Sequence, residues 1–280
     1  MALPAETRHA TADDGCPLAY QVIGDGPSDL VWSFSFLSDV ETIWGYPAIA
    51  DFLSRLASFT RLIIHDRRGM GRSGRGAGPV DPATASSDLM SVLDAAGTDR
   101  AFFGGPEIGG ALSAVFAATH PERVRGVIWY GAFASSKRTP DYPWGDTEDE
   151  QEEDRRRVEE HWGTRGFAEN FVRNNAPSRD GDQATITFFT TWMRRSMTPV
   201  EASAMSQRWF EIDLRATLPT ITRPVLIISR ASEDIEEDRY AASSIPAARI
   251  VELPGEDFMP FFDEQPIIDE IQRFIRDQGP

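Results

Sequence analysis

The residues with the clearest chemical meaning lie at Gly105-Pro106-Glu107-Ile108-Gly109-Gly110, where a carboxylate stands between closely spaced glycines. Ala101-Phe102-Phe103 before it is a short apolar run that reads as a buried strand. Ala111 to Ala118 after it has helical composition and ends at Thr119-His120-Pro121. A strand, a tight glycine turn and a helix expose the side chain at the turn's centre, so Glu107 is the first candidate for proton transfer or nucleophilic attack. Its neighbours Pro106 and Ile108 belong to the same candidate site. The chain has four histidines, His9, His65, His120 and His161. Of these, only His65 falls at the carboxyl end of an expected strand, where open parallel sheets place ligands. Phe34, Phe36, Trp129, Phe133, Trp192, Trp209, Phe261 and Phe262 fall at strand ends or in a helical insertion. Most aromatics at such positions are core, and any that face a cleft imply an apolar ligand.

The elements that must position these groups follow from apolar patterning. Leu18 to Ile23 and Leu30 to Phe34 read as strands linked by the Gly24-Asp25-Gly26-Pro27 turn, Ile49 to Leu56 as a helix, and Thr60 to His65 as the next strand. Ala83 to Ala96 is a helix and Gly126 to Tyr130 a strand. Pro224 to Ser229 and Ala248 to Leu253 resume the strands, and Ile267 to Ile275 is a final helix. Strands alternating with helices predict an α/β fold, a mostly parallel sheet covered on both faces. The alternation breaks over 135–222, which is helical and aromatic-rich and opens on the acidic run Asp146 to Asp154 followed by Arg155-Arg156-Arg157. Acid before base is the charge order of a solvated helix start. The expected layout is a core of 1–134 and 223–280 with 135–222 inserted as a helical lid.

Composition bounds the function classes. The chain has 280 residues, 41% hydrophobic and 26% charged, in the range of globular proteins. A formal charge of -16 disfavours a nucleic-acid or anionic-membrane surface. Cys16 is the only cysteine, which excludes an intrachain disulfide and a cysteine-based metal cluster. No metal or other cofactor is expected. The first residues lack a basic start followed by an apolar segment, so the cytoplasm is the expected location.

Several longer motifs resemble the α/β-hydrolase superfamily, and more narrowly its bacterial branch whose members occur alone or joined to adenylate/guanylate cyclase domains. They are Gly15 to Gly26 with Leu18-Ala19-Tyr20-Gln21-Val22, the loop Asp66-Arg67-Arg68-Gly69-Met70-Gly71-Arg72-Ser73, and Phe116 to Val124. Glu160-His161-Trp162-Gly163 and Glu211 to Pro219 belong with them. The resemblance covers nearly the whole chain and implies a fold with an inserted lid. It also implies a serine nucleophile, an acid, a histidine and oxyanion donors. Position by position, the nucleophile falls on Glu107 and the acid on Glu233, with Asp234 as the alternative register. The histidine falls on Phe258 in Gly255-Glu256-Asp257-Phe258, and the oxyanion turn on Phe34-Ser35.

Serine needs an adjacent base to attack at neutral pH, and neither partner stands at these positions. If the Phe258 ring packs where imidazole would, desolvation favours the neutral form of Glu107, and Glu233 adds like-charge repulsion in the same direction. Such a carboxyl group suits general acid or base catalysis of elimination, isomerisation, cyclisation or hydration, with Ser35 donating a hydrogen bond. Two alternatives stay open: a carboxylate-nucleophile hydrolase of the epoxide-hydrolase kind, and a non-catalytic ligand-binding protein. The expected partner is an apolar small molecule, with no nucleic acid and no membrane, and the oligomeric state is open.

Overall fold

A computed structural model describes residues 5–75, 81–230 and 235–279. The strands are β1 (Arg8–Thr11), β2 (Pro17–Ile23), β3 (Asp29–Trp32), β4 (Arg61–His65), β5 (Ala101–Pro106), β6 (Val124–Tyr130), β7 (Val225–Arg230) and β8 (Ala248–Leu253). They form one sheet in the order β1-β2-β4-β3-β5-β6-β7-β8. The β1/β2 and β2/β4 pairs are antiparallel, and from β4 onward every pair is parallel. The turn expected between the second and third strands does connect them in sequence. In space β4 lies between them, because β3 pairs with β4 and β5.

Around the sheet run α1 (Pro47–Ala57), α2 (Pro82–Ala96), α3 (Ile108–Thr119), α8 (Ile235–Ser244) and α9 (Gln265–Asp277). Alternation along the strands divides the core. Leu30 and Trp32 of β3 join Phe52, Phe102, Ile128 and Phe274 on one face. Val31 joins Ile63, Phe103, Phe116 and Trp129 on the other. The α9 stripe of Ile267, Ile271 and Phe274 is buried, and each such side chain contributes roughly 1.5–3 kcal/mol by leaving water. Local signals fix the helix ends. Asp81 accepts from the Thr84 N–H at the start of α2, Pro82 fills its first turn, and Gly97 at φ 68° ends it.

Between β6 and β7 the chain forms four helices, α4 (Glu148–His161), α5 (Arg165–Asn175), α6 (Gln183–Ser196) and α7 (Pro199–Trp209). The acidic run does start a helix. Thr147 and Glu150 form a reciprocal cap at its N-terminus, and three acidic residues occupy the first turn. No helix among the described residues is long and apolar enough to cross a membrane.

Candidate functional site

The turn between β5 and α3 presents Glu107 at φ 42° and ψ -109°. Among the described residues only Asp263 is another non-glycine with positive φ. This conformation is costly for an L-residue, and the surroundings enforce it. The Glu107 N–H donates to the Tyr130 carbonyl at 2.8 Å, while its own carbonyl accepts from Ala111 N at 2.8 Å and from Trp129 Nε1 at 3.0 Å. The glycines are needed because the turn is pressed onto its neighbours. A Cβ on Gly109 would lie 2.0 Å from the Ser33 carbonyl oxygen, and one on Gly110 would lie 1.9 Å from the Trp129 ring.

The side chain of Glu107 meets Ser35, whose hydroxyl donates to Oε2 at 2.8 Å. Ser35 is held in turn by Arg67. That half-buried guanidinium donates to the carbonyls of Phe34, at 2.6 Å, and of Ser35. Burial lowers the Arg67 pKa to about 10, still leaving it charged at neutral pH. Phe258 comes to the same place from the loop after β8. Its N–H donates to the Asn175 carbonyl at 2.9 Å, and its ring lies 5.3 Å from that of Tyr130. The ring and the Glu107 side chain both border Gly131, at 2.7 and 3.9 Å from where a Cβ on that glycine would sit.

Here a cavity of about 190 Å³ is lined by Glu107, Phe133, Asp146, Glu237, Asp238 and Phe258, among others. Asp238 is buried and accepts from Ala132 N at 2.5 Å and Ser229 Oγ at 2.6 Å. Glu237 accepts from the hydroxyl of Tyr142. Burial, reinforced by this carboxylate, pushes the Tyr142 pKa up. Burial first, then the charges of Glu150 and Asp154, raises the Asp146 pKa. Glu237 and Asp238 escape the sequence reading because helix α8, which presents them, is not anticipated there; its opening Glu236-Glu237-Asp238 run is the signal that could have marked it. Glu233 and Asp234 lie outside the described residues.

A second cavity, of about 620 Å³, opens between α2, α3 and α7. Its walls are mainly apolar, including Leu89, Val92, Ile108, Leu112 and Met205, and it reaches Ser33 and His65. Trp209 borders both cavities. The candidate aromatics are thus distributed unequally. Ile108 lines the larger cavity and Phe258 the smaller, while Phe34, Phe36, Pro106, Trp129 and Trp192 line neither. Trp129 is fully buried beneath α3, and Pro106 is paired with Tyr130 in the sheet. Phe34 meets Trp192 edge to face at 5.7 Å, and Phe36 meets Trp162 at 5.4 Å, so these rings tie the loop after β3 to the helical block. Arg68 is committed to Asp88 and Asp14. Among the described residues no group of three or more His, Cys, Asp or Glu is arranged to hold a metal ion.

A mostly parallel sheet flanked by helices, with a positive-φ turn after its central strand, agrees with a family model of the alpha/beta hydrolase fold that matches residues 43–264. The chain belongs to the α/β-hydrolase fold family. Within that family, 82 residues are 40% identical to a protein named for carbamate hydrolysis, RutD of Azorhizobium caulinodans. That match takes in 29% of this chain and 31% of the relative, so the chain spans less than a third of that relative's length. Among solved structures, a hydrolase from Pseudomonas aeruginosa superposes with a TM-score of 0.79 at 23% identity, covering 96% of this chain and 98% of the other. A bromoperoxidase from Bacillus anthracis reaches a TM-score of 0.82 at 18% identity over 96% and 99%. These structural likenesses concern the fold.

Proposed function

We propose that this α/β-hydrolase-fold protein is an enzyme that works without a serine-histidine pair at the β5/α3 turn, using Glu107 as general acid or base on a mainly apolar small molecule. The observation that carries the reading is the contact of Glu107 with Ser35 on a positive-φ turn facing a small cavity. A carboxyl group so held is aimed and restrained, as proton transfer needs. Phe258, at the position where the resemblance implies a histidine, offers no proton acceptor, so an ester intermediate on Glu107 would lack the imidazole that releases it. This favours elimination, isomerisation, cyclisation or hydration without a covalent step. The apolar body of the substrate would lie in the larger cavity, which Ile108 and Trp209 border, with the helical block as its lid. The relative named for carbamate hydrolysis supports small-molecule chemistry on this fold but shares too little of its length to pass on its substrate.

A fluorophosphonate probe and short p-nitrophenyl esters test the reading. The expected result is neither stoichiometric labelling nor turnover above a heat-treated control. Labelling of a serine in either cavity, mapped by mass spectrometry, would return the protein to serine chemistry.

A further inference from the structure

The larger cavity contains a polar pair that Glu107 chemistry does not use. Ser33 directly follows β3 and His65 ends β4, and the parallel register of Trp32 with Ile64 brings the two strand ends side by side. Ser33 Oγ and His65 Nε2 lie 2.8 Å apart, both residues being buried. The other ring nitrogen, Nδ1, makes no hydrogen bond among the described residues. His65 is itself one of the residues that line the cavity. A half-satisfied polar group on an apolar wall wants a partner.

The surroundings restrict that partner. Arg67 and Arg68, the cations next in sequence to His65, are spent on the Phe34 and Ser35 carbonyls and on Asp88 and Asp14. Asp66 accepts from Ser38 Oγ, Val40 N and Arg72 N. Burial, with Arg67 nearby, lowers the His65 pKa to about 4, so the ring is neutral near pH 7. Beside the imidazole an anion would find Arg67 and Arg68 committed and a cation would meet neutral nitrogen, while Arg208, which lines the same cavity from α7 and makes no ion pair among the described residues, is where an anion would go instead. The volume, about 620 Å³, is that of small-molecule sites.

We propose that this cavity binds a neutral, mainly apolar molecule carrying one oxygen group, a hydroxyl or a carbonyl, which hydrogen-bonds to His65 Nδ1 while its hydrocarbon body lies along Leu89, Val92, Ile108, Leu112 and Met205. Ser33 is a positioning residue. If its hydroxyl donates to Nε2, Nδ1 carries the ring proton and donates to the ligand; in the opposite tautomer Nδ1 accepts from a hydroxyl. An imidazole with a pKa near 4 is a poor base and lacks a carboxylate on Nδ1, so the pair is an anchor and Ser33 is no activated nucleophile. The proposal rests on the reading above only in taking the larger cavity as the place that receives the substrate's apolar body.

The test uses the whole protein with 1-octanol, 2-octanone and octanoate as probes, followed by calorimetry and by 15N-histidine NMR. The expected result is saturable octanol binding with a shift of the His65 Nδ1 resonance, whereas octanoate leaves that resonance in place. Octanone binding as well assigns the ring proton to Nδ1, whereas octanol binding alone makes Nδ1 the acceptor; each outcome supports the site. His65→Phe should weaken octanol binding about tenfold, and Ala204→Trp, on the exposed side of α7, should weaken it by filling the cavity. Glu107→Gln should bind octanol like the parent even where it abolishes turnover, which separates failure of this site from failure of the Glu107 mechanism. Octanoate that shifts Nδ1 as octanol does, or octanol binding that leaves Nδ1 unmoved, would overturn the proposal. The NMR measurement on the parent decides the matter even if His65→Phe does not fold.

Discussion

The two cavities of this molecule both touch Trp209, yet they treat ionisable groups in opposite ways. The smaller gathers Glu107, Asp146, Glu237 and Asp238 and supplies hydroxyl or N–H donors to three of them, from Ser35 to Glu107, Tyr142 to Glu237, and Ser229 and Ala132 to Asp238. The larger has mainly apolar walls, charged residues that pair with one another, as Arg68 does with Asp88 and Arg75 with Glu201, and a histidine that burial keeps neutral. The difference is instructive because burial alone does not specify a chemical role. A donor aimed at a carboxylate stabilises its charge and fixes its direction, whereas burial without a counter-charge removes charge and leaves a neutral hydrogen-bonding group. The first arrangement suits proton movement and the second suits holding a neutral molecule.

Replacing Glu107 by Gln should break the comparison most severely. The amide keeps the shape and much of the hydrogen bonding but cannot exchange a proton, so turnover of a substrate sought among molecules extracted from the purified protein should fall by about 10²–10⁴-fold. Its affinity should stay near that of the parent. Mass spectrometry identifies that molecule, and product formation and calorimetry supply the two readouts. Unchanged product formation would remove Glu107 from the mechanism and shift attention to the larger cavity.

The pH dependence of stability should show the second contrast. The folded protein binds the His65 proton less readily than the unfolded chain does, since the pKa falls from 6.5 to about 4. The stability tied to this group is therefore whole above pH 6.5 and lost as the pH falls to 4, amounting to roughly 3 kcal/mol. Asp66 acts in the reverse sense. Burial raises its pKa from 3.8 to about 6, so its contribution is whole below 3.8 and lost as the pH rises through 6. Within this window the two oppose each other in the parent. His65→Phe should unmask Asp66, and the difference in urea stability between variant and parent should shift in favour of the variant by roughly 3 kcal/mol between pH 7 and pH 4. A pH-independent difference would show that His65 is not neutralised by burial.

These two cavities were not equally legible in the sequence. The Glu107 turn could be read because all its parts are contiguous: an apolar strand, spaced glycines and a helix within 101–119. Most strands of the parallel sheet were equally local, and β8 falls on the expected residues. Strand β1 escaped because only Ala10 of its four residues is buried, leaving no alternation to detect. The placement of β4 between β2 and β3 is a crossover, which no turn motif between the latter two encodes. For the same reason the Ser33–His65 contact is invisible in one dimension, since it joins residues 32 apart whose meeting depends on the register of two parallel strands. The aromatics misled in another way. Composition marks Trp129 and Trp192 as bulky and apolar, but their direction comes from packing, and both are buried without lining either of the two cavities.

Ser35→Ala sharpens the comparison with the smallest expected effect. The Ser35 hydroxyl donates to the Glu107 side chain, and it favours the ionised carboxylate. Removing it should reduce turnover by only about tenfold, since charge-assisted hydrogen bonds contribute on the order of 1.5–3 kcal/mol and water can enter this partly exposed position. The more telling change is in direction. With this donor gone the carboxylate holds its proton more tightly, so any limb of the pH-rate profile that follows Glu107 should move to higher pH, while Ser35→Thr, which keeps the hydroxyl, should leave the limb in place. Octanol binding at His65 should be the same in both variants, because Ser35 does not line the larger cavity. A profile that moves equally in Ser35→Ala and Ser35→Thr would mean that the loop's position, rather than the hydroxyl, tunes Glu107, and the contrast between a donor-supplied cavity and an apolar one would lose its chemical basis.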